Sequence, residues 1–216
     1  MILIPVPLLR KIELALLAPE LSKAEIEAGC QAAIRHDCVS VFVKPHYIEV
    51  ARKALRESNI KVASVVGFPH GSVTTATKMY ETQDLLQRGA DELAMVINIG
   101  AVRDHDDLAV KNDIQGVIKT ARGKPITVIL DLSLLNDEER VRACKLAEAA
   151  GATMVMPLGF TNPSALLDGV RLIRATHPSL KIRALGGIAS QQDALTLIEA
   201  GAAWVVVSDI EKMLSE

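Results

Sequence analysis

No stretch of the chain carries a long run of one charge. Lys and Arg total 24 against 26 Asp and Glu, a net charge of −2 over 216 residues, and this balance argues against a nucleic-acid or membrane-binding surface. Cysteine is scarce and odd in number. Cys30, Cys38 and Cys144 lack metal-ligand spacing, which leads us to expect a reduced, cytoplasmic compartment. The five histidines are scattered, with no His-x-x-x-His and no Cys-x-x-Cys, so no metal site is expected. Gly-x-Gly-x-x-Gly at a first βα turn, Walker loops and Gly-x-Ser-x-Gly are missing too, and no cofactor is expected. The apolar opening of residues 1–10 is short, broken by proline and followed by its positive charges. It fits neither a signal peptide nor a membrane span, and we expect it to cover one end of the core.

What is present is hydrophobic and periodic. Half of the residues are hydrophobic, enough for a well-buried core in a single domain spanning residues 1–216. One phrase recurs: Gly89-Ala-Asp-Glu-Leu-Ala-Met-Val-Ile-Asn98, Gly151-Ala-Thr-Met-Val-Met-Pro-Leu-Gly-Phe160 and Gly201-Ala-Ala-Trp-Val-Val-Val-Ser-Asp209 each place a helix-ending Gly-Ala before an apolar strand. Asp37-Cys-Val-Ser-Val-Phe-Val-Lys44 is a looser fourth copy. Side chains alternate faces along a strand, so Ala94, Met156, Val206 and Phe42 share one face, and Lys44 and Ser208 follow them on it.

Between these phrases run helices with recognisable starts. Ser22-Lys-Ala-Glu25 is a capping box, Asn136-Asp-Glu-Glu139 caps and charges a helix start, and Asn162-Pro163 is an N-cap with proline at the first helical position. Further strands are expected near residues 12–15, 61–66, 126–131 and 181–184. Eight strands alternating with helices predict a single α/β (β/α)₈ TIM barrel, with an open doubly wound sheet as the alternative.

In such a barrel the carboxyl ends of the strands form the site. Read in order, those ends are Glu13, Lys44, His70, Asn98, Asp131, Met156, Arg183 and Ser208 with Asp209. Gly159, Gly186, Gly187 and Ser208 could offer N–H groups to a phosphate, against which Asp209 would be repulsive. Asp131 and Arg183 are as well explained by a structural ion pair as by catalysis. Lys44 is equally well explained by a solvated loop.

Several motifs together resemble the 2-deoxyribose-5-phosphate aldolases. They are Gly67-Phe-Pro-x-Gly71, Ala90-Asp-Glu-Leu-Ala-Met-Val-Ile-Asn-Ile-Gly100, Leu134-Leu-Asn-Asp-Glu-Glu139, Gly159-Phe160 and Gly186-Gly-Ile188. That resemblance implies a (β/α)₈ barrel and class I aldolase chemistry, a lyase reaction run through a lysine Schiff base. It also implies that the Schiff-base lysine position is held by Met156, the helper aspartate position by Ala94 and the second lysine position by Arg183. A thioether cannot form an imine, and a guanidinium keeps charge without serving as a nucleophile.

The expectation is therefore an aldolase-like barrel whose Schiff-base machinery is lost, a pseudoenzyme or repurposed binder of a small molecule, assembled as a homo-oligomer. The alternative is an aldolase or lyase for a small aldehyde or sugar phosphate with rebuilt catalytic residues. In it Lys44 would reach toward Met156 across the mouth, or Asp131 and Arg183 would act as an acid/base and anion pair.

Overall fold

A computed structural model of the chain describes residues 8, 10–159 and 163–215. The expected cap at Asn162 and most of the opening segment lie outside these residues. Eight parallel strands close on themselves in sequence order. They are β1 (Ile12–Leu16), β2 (Ser40–Val43), β3 (Lys61–Val66), β4 (Glu92–Val96), β5 (Ile126–Asp131), β6 (Met154–Leu158), β7 (Lys181–Leu185) and β8 (Trp204–Val207). The helices are α1 (Lys23–Arg35), α2 (Ile48–Ala54), α3 (Thr75–Gln87), α4 (Ile99–Arg103), α5 (Asp107–Thr120), α6 (Asp137–Ala149), α7 (Pro163–Thr176), α8 (Gln191–Glu199) and α9 (Ile210–Ser215). The doubly wound alternative is thereby excluded.

Local chemistry sets the element ends. Ser22 and Asn136 each accept the N–H of the residue three further on, and Glu25 and Glu139 reach back to the cap N–H. The recurring glycine has a single backbone cause. Gly89, Gly151 and Gly201 have φ of 103°, 96° and 112° and donate to carbonyls in the last helical turn, the left-handed step that ends a helix at low cost only for glycine. In the fourth copy Asp37 takes that step, at φ 49°. The strand expected to end at Asn98 stops at Val96 instead, because the Asn98 side chain caps α4 by accepting from Ala101 N.

Alternation splits the strands between two cores. Val41, Leu93, Met95, Val128 and Val155 face outward into the layer packed against the helices. Phe42, Ala94, Ile129, Met156, Leu158 and Val206 face inward as a separate apolar cluster filling the upper barrel. This is the shared face expected from the repeat. Between β4 and the helical shell lies a buried ion pair: Lys78 of α3 donates to the Val96 carbonyl and pairs with Asp113 of α5.

Candidate functional site

Met156 of β6 is 1% exposed and belongs to the inner cluster with Ala94 and Val96 of β4 and Leu158 of β6. Nothing in that cluster titrates. An amine here would sit among apolar side chains that cannot solvate its charge.

Below this layer the barrel is charged. Glu13, Glu92 and Arg183 are at most 3% exposed. Arg183 Nη2 donates to Glu92 Oε2 at 2.7 Å and Nη1 to Thr127 Oγ1 at 3.1 Å, while Nε lies 3.3 Å from Glu13 Oε2. Ser40 Oγ donates to Glu13 Oε1 at 3.0 Å. The guanidinium carbon lies 5.5 Å from the Phe42 ring centroid and 5.3 Å from that of Trp204. Ser40, Glu92 and Trp204 are the first residues of their strands, and Glu13 and Thr127 the second. The cluster therefore occupies the amino-terminal end of the barrel, opposite the mouth.

This placement corrects the expectation for two residues. Glu13 and Arg183 are not mouth residues, because Arg183 is the third of five in β7 and its guanidinium is held among carboxylates at the far end. Arg183 cannot partner Asp131. That carboxylate ends β5 and accepts from Ser133 N at 2.9 Å and Ser133 Oγ at 2.6 Å, closing the turn that follows. Glu92 and Thr127 were missed. Stepping the repeat back one strand period, to the third residue after the turn, lands on Ser40, Glu92, Met154 and Trp204, so Glu92 was within reach of the same alternation.

Two carboxylates share one guanidinium, and Glu13 Oε2, Glu92 Oε1 and Arg183 Nε make no hydrogen bond among the described residues. Burial, with the Glu92 charge added, outweighs the attraction of Arg183 and pushes the Glu13 carboxyl from its ordinary 4.5 to about 7. Between those values the folded chain keeps a proton that the unfolded chain has released. The stabilisation is therefore complete below about pH 4.5 and is lost as pH rises to about 7, at roughly 1.4 kcal/mol per pH unit. Chemical denaturation across this range should show that decline, and Glu13→Gln should flatten it. An unchanged slope in the variant would assign the decline to other groups.

Lys44 does not reach Met156. Its Nζ donates to the Ala18 carbonyl at 2.6 Å and the Pro19 carbonyl at 2.9 Å, and sits 3.5 Å from that of Leu21. It also lies 5.4 Å above the Tyr47 ring, whose hydroxyl donates to the Leu21 carbonyl. Lys44 is thus a pin for the loop after β1, and the constellation of Lys44, Met156 and Arg183 is not assembled. We expect Lys44→Ala to cost about 1 kcal/mol and to speed amide exchange in residues 18–21. Exchange unchanged there would show that the loop holds without it.

The loop that Lys44 pins forms one wall of a cavity of about 920 Å³ at the carboxyl ends of β1, β7 and β8. Ala15, Leu185 and Val206 belong both to its lining and to the inner apolar cluster. Phe68 and Pro69, from the loop after β3, close a second side. Gly71 holds that loop down, with φ 68° and a position where a Cβ would overlap the Ile97 carbonyl oxygen. His70 is exposed at the tip of the loop.

Of the phosphate-binding candidates, Gly186, Gly187 and Ser208 line this cavity. Gly159 does not, and its N–H is donated to the Leu185 carbonyl at 2.9 Å. Asp209 also lines the cavity, and its Oδ1 accepts from Lys212 N at 3.0 Å, so a carboxylate already caps the helix that begins there. The three thiols are buried, and burial raises them to about 11 for Cys30 and about 12 for Cys38 and Cys144, far from a reactive thiolate. Among the described residues no group of three or more His, Cys, Asp or Glu side chains could hold a metal ion, and no helix is long and apolar enough to cross a membrane.

Comparison with known proteins places relatives around this geometry. A family model described as DeoC/LacD family aldolase matches residues 13–156. The deoxyribose-phosphate aldolase of Thermococcus kodakarensis is 44% identical over 199 residues, covering 89% of both chains. That of Clostridium perfringens is 41% identical over 198 residues, covering 90% of this chain and 88% of its own. The tetrameric deoxyribose phosphate aldolase of Aeropyrum pernix superposes with a TM-score of 0.86 at 25% identity, over 96% of this chain and 89% of its own.

Proposed function

The chain belongs to the DeoC/LacD aldolase family, and from that premise we propose that it is a member which has given up Schiff-base cleavage and uses the barrel mouth to bind a small ligand. The observation that carries this reading is Met156 buried in an apolar cluster together with Ala94. Two lysines that could have replaced a lost nucleophile, Lys44 and Lys78, are occupied elsewhere. Lys44 is held by carbonyls of the loop after β1, and Lys78 is locked outside the barrel by Asp113 and Val96. Arg183, in the position the resemblance gives to the second lysine, is engaged by two carboxylates.

The relatives are named as aldolases, which makes turnover the decisive assay. Acetaldehyde release from 2-deoxyribose 5-phosphate, coupled to a dehydrogenase, should stay at the buffer rate with the full chain. Saturable release that scales with protein concentration would overturn the reading. The tetramer formed by the Aeropyrum relative supports a homo-oligomer, and three buried free thiols suit a reducing cytoplasm.

A further inference from the structure

We propose that the ligand of the mouth cavity is an uncharged, mainly apolar molecule with a hydrogen-bond-accepting oxygen, and not a phosphorylated sugar. The inference rests on the reading that the mouth is a binding site, and it adds the chemical class of the ligand.

The floor is apolar. Ala15, Leu185 and Val206 carry the inner cluster up into the cavity, and Leu17 and Phe68 pack against that cluster from above. A body seated there exchanges water for hydrocarbon over its whole lower surface, which favours apolar groups in proportion to the area buried. A sugar would bring hydroxyls that this floor cannot satisfy.

The charged groups on the walls point the same way. Among the described residues the lining holds two carboxylates, Glu20 and Asp209, against one ammonium, Lys212. Asp209 already accepts the Lys212 N–H at the start of α9, so an anionic group brought there would meet a like charge. What the walls do offer is donors. Gly187 and Ile188 follow β7 in the cavity wall, and their N–H groups donate to no backbone or side-chain acceptor among the described residues. One carbonyl or hydroxyl oxygen on an otherwise apolar ligand would satisfy them. A volume of about 920 Å³ lies at the upper end of the range for sites that enclose drug-sized molecules, roughly 300–1,000 Å³.

Nile red, a neutral apolar dye with one ring carbonyl, is a suitable probe. Titrated into the full chain, it should show saturable, blue-shifted emission that millimolar 2-deoxyribose 5-phosphate does not displace. Leu17→Glu and Ile188→Glu each place a charge in the cavity lining at a half-buried position. Each should weaken dye binding by about tenfold or more with the circular-dichroism melt retained. Tyr80→Glu, at a position 75% exposed on the outer helix α3, should leave binding unchanged. Agreement of either wall variant that keeps its melt supports the proposal. No saturable binding, displacement by the sugar phosphate, or equal loss in Tyr80→Glu overturns it. Failure of the dye alongside an absence of aldolase turnover would remove this inference and leave the preceding reading standing. Turnover alongside dye binding would do the reverse.

Discussion

Replacing Arg183 with methionine should destabilise the chain by about 3–5 kcal/mol, the usual cost of removing one partner from a buried ion pair. The variant leaves Glu13 and Glu92, both at most 2% exposed, facing each other without a cation. Glu92 Oε2 loses its bond from Nη2, and Thr127 Oγ1 its bond from Nη1. The cost is one of desolvated charge and not of volume, because methionine fills much of the space under Phe42 and Trp204. A triple variant, Glu13→Leu, Glu92→Leu and Arg183→Met, separates the two causes. It should recover most of the loss in urea titration, since well-packed apolar replacements of buried ion groups are often neutral or stabilising. A triple variant as unstable as the single one would show that packing around Arg183 matters more than its charge.

Placing a lysine at position 156 should be nearly as costly. Met156→Lys conserves length but places an amine among Ala94, Val96, Ile129 and Leu158. To stay there near neutral pH it must be uncharged, and holding a lysine neutral about three pH units below its ordinary 10.4 costs roughly 3–5 kcal/mol. The sign is fixed by linkage. The unfolded chain binds the proton that the folded chain refuses, so the variant should gain stability as pH rises toward about 10 and lose it as pH falls. Adding Ala94→Asp supplies a carboxylate in the same interior cluster and should return part of the loss. A Met156→Lys variant as stable as the parent, with a flat pH profile, would mean that water or a counter-ion reaches this position.

Much of the fold was legible from local chemistry. The Gly-Ala phrase marks left-handed helix ends at Gly89, Gly151 and Gly201, and alternation from those glycines places Phe42, Ala94, Met156 and Val206 in one inner layer. The direction of a side chain relative to the barrel's two ends was harder to read. Arg183 lies near the middle of β7, and whether its long side chain turns toward the mouth or the floor depends on where its counter-charges lie. Those are Glu13 and Glu92, 170 and 91 residues away in sequence. Lys44 follows the same logic: alternation puts it on the inner face, but β2 ends at Val43 and three carbonyls of the loop after β1 hold the amine. Asp131 ends β5 and Asn98 lies two residues past β4, places where polar residues suggest chemistry, yet both side chains accept backbone N–H groups that begin the next turn. The cavity could not be read from the sequence, since its walls come from segments at both ends of the chain and from the loop after β3.

On the proposed reading, no lysine of this barrel should form an imine with an aldehyde substrate. The most direct measurement is intact mass after incubation with 2-deoxyribose 5-phosphate or acetaldehyde and borohydride, run beside the Clostridium perfringens relative as a positive control. The relative should gain the mass of the reduced adduct while this chain stays at its unmodified mass. A stoichiometric adduct on this chain, mapped by peptide analysis to one lysine and accompanied by turnover, would contradict it.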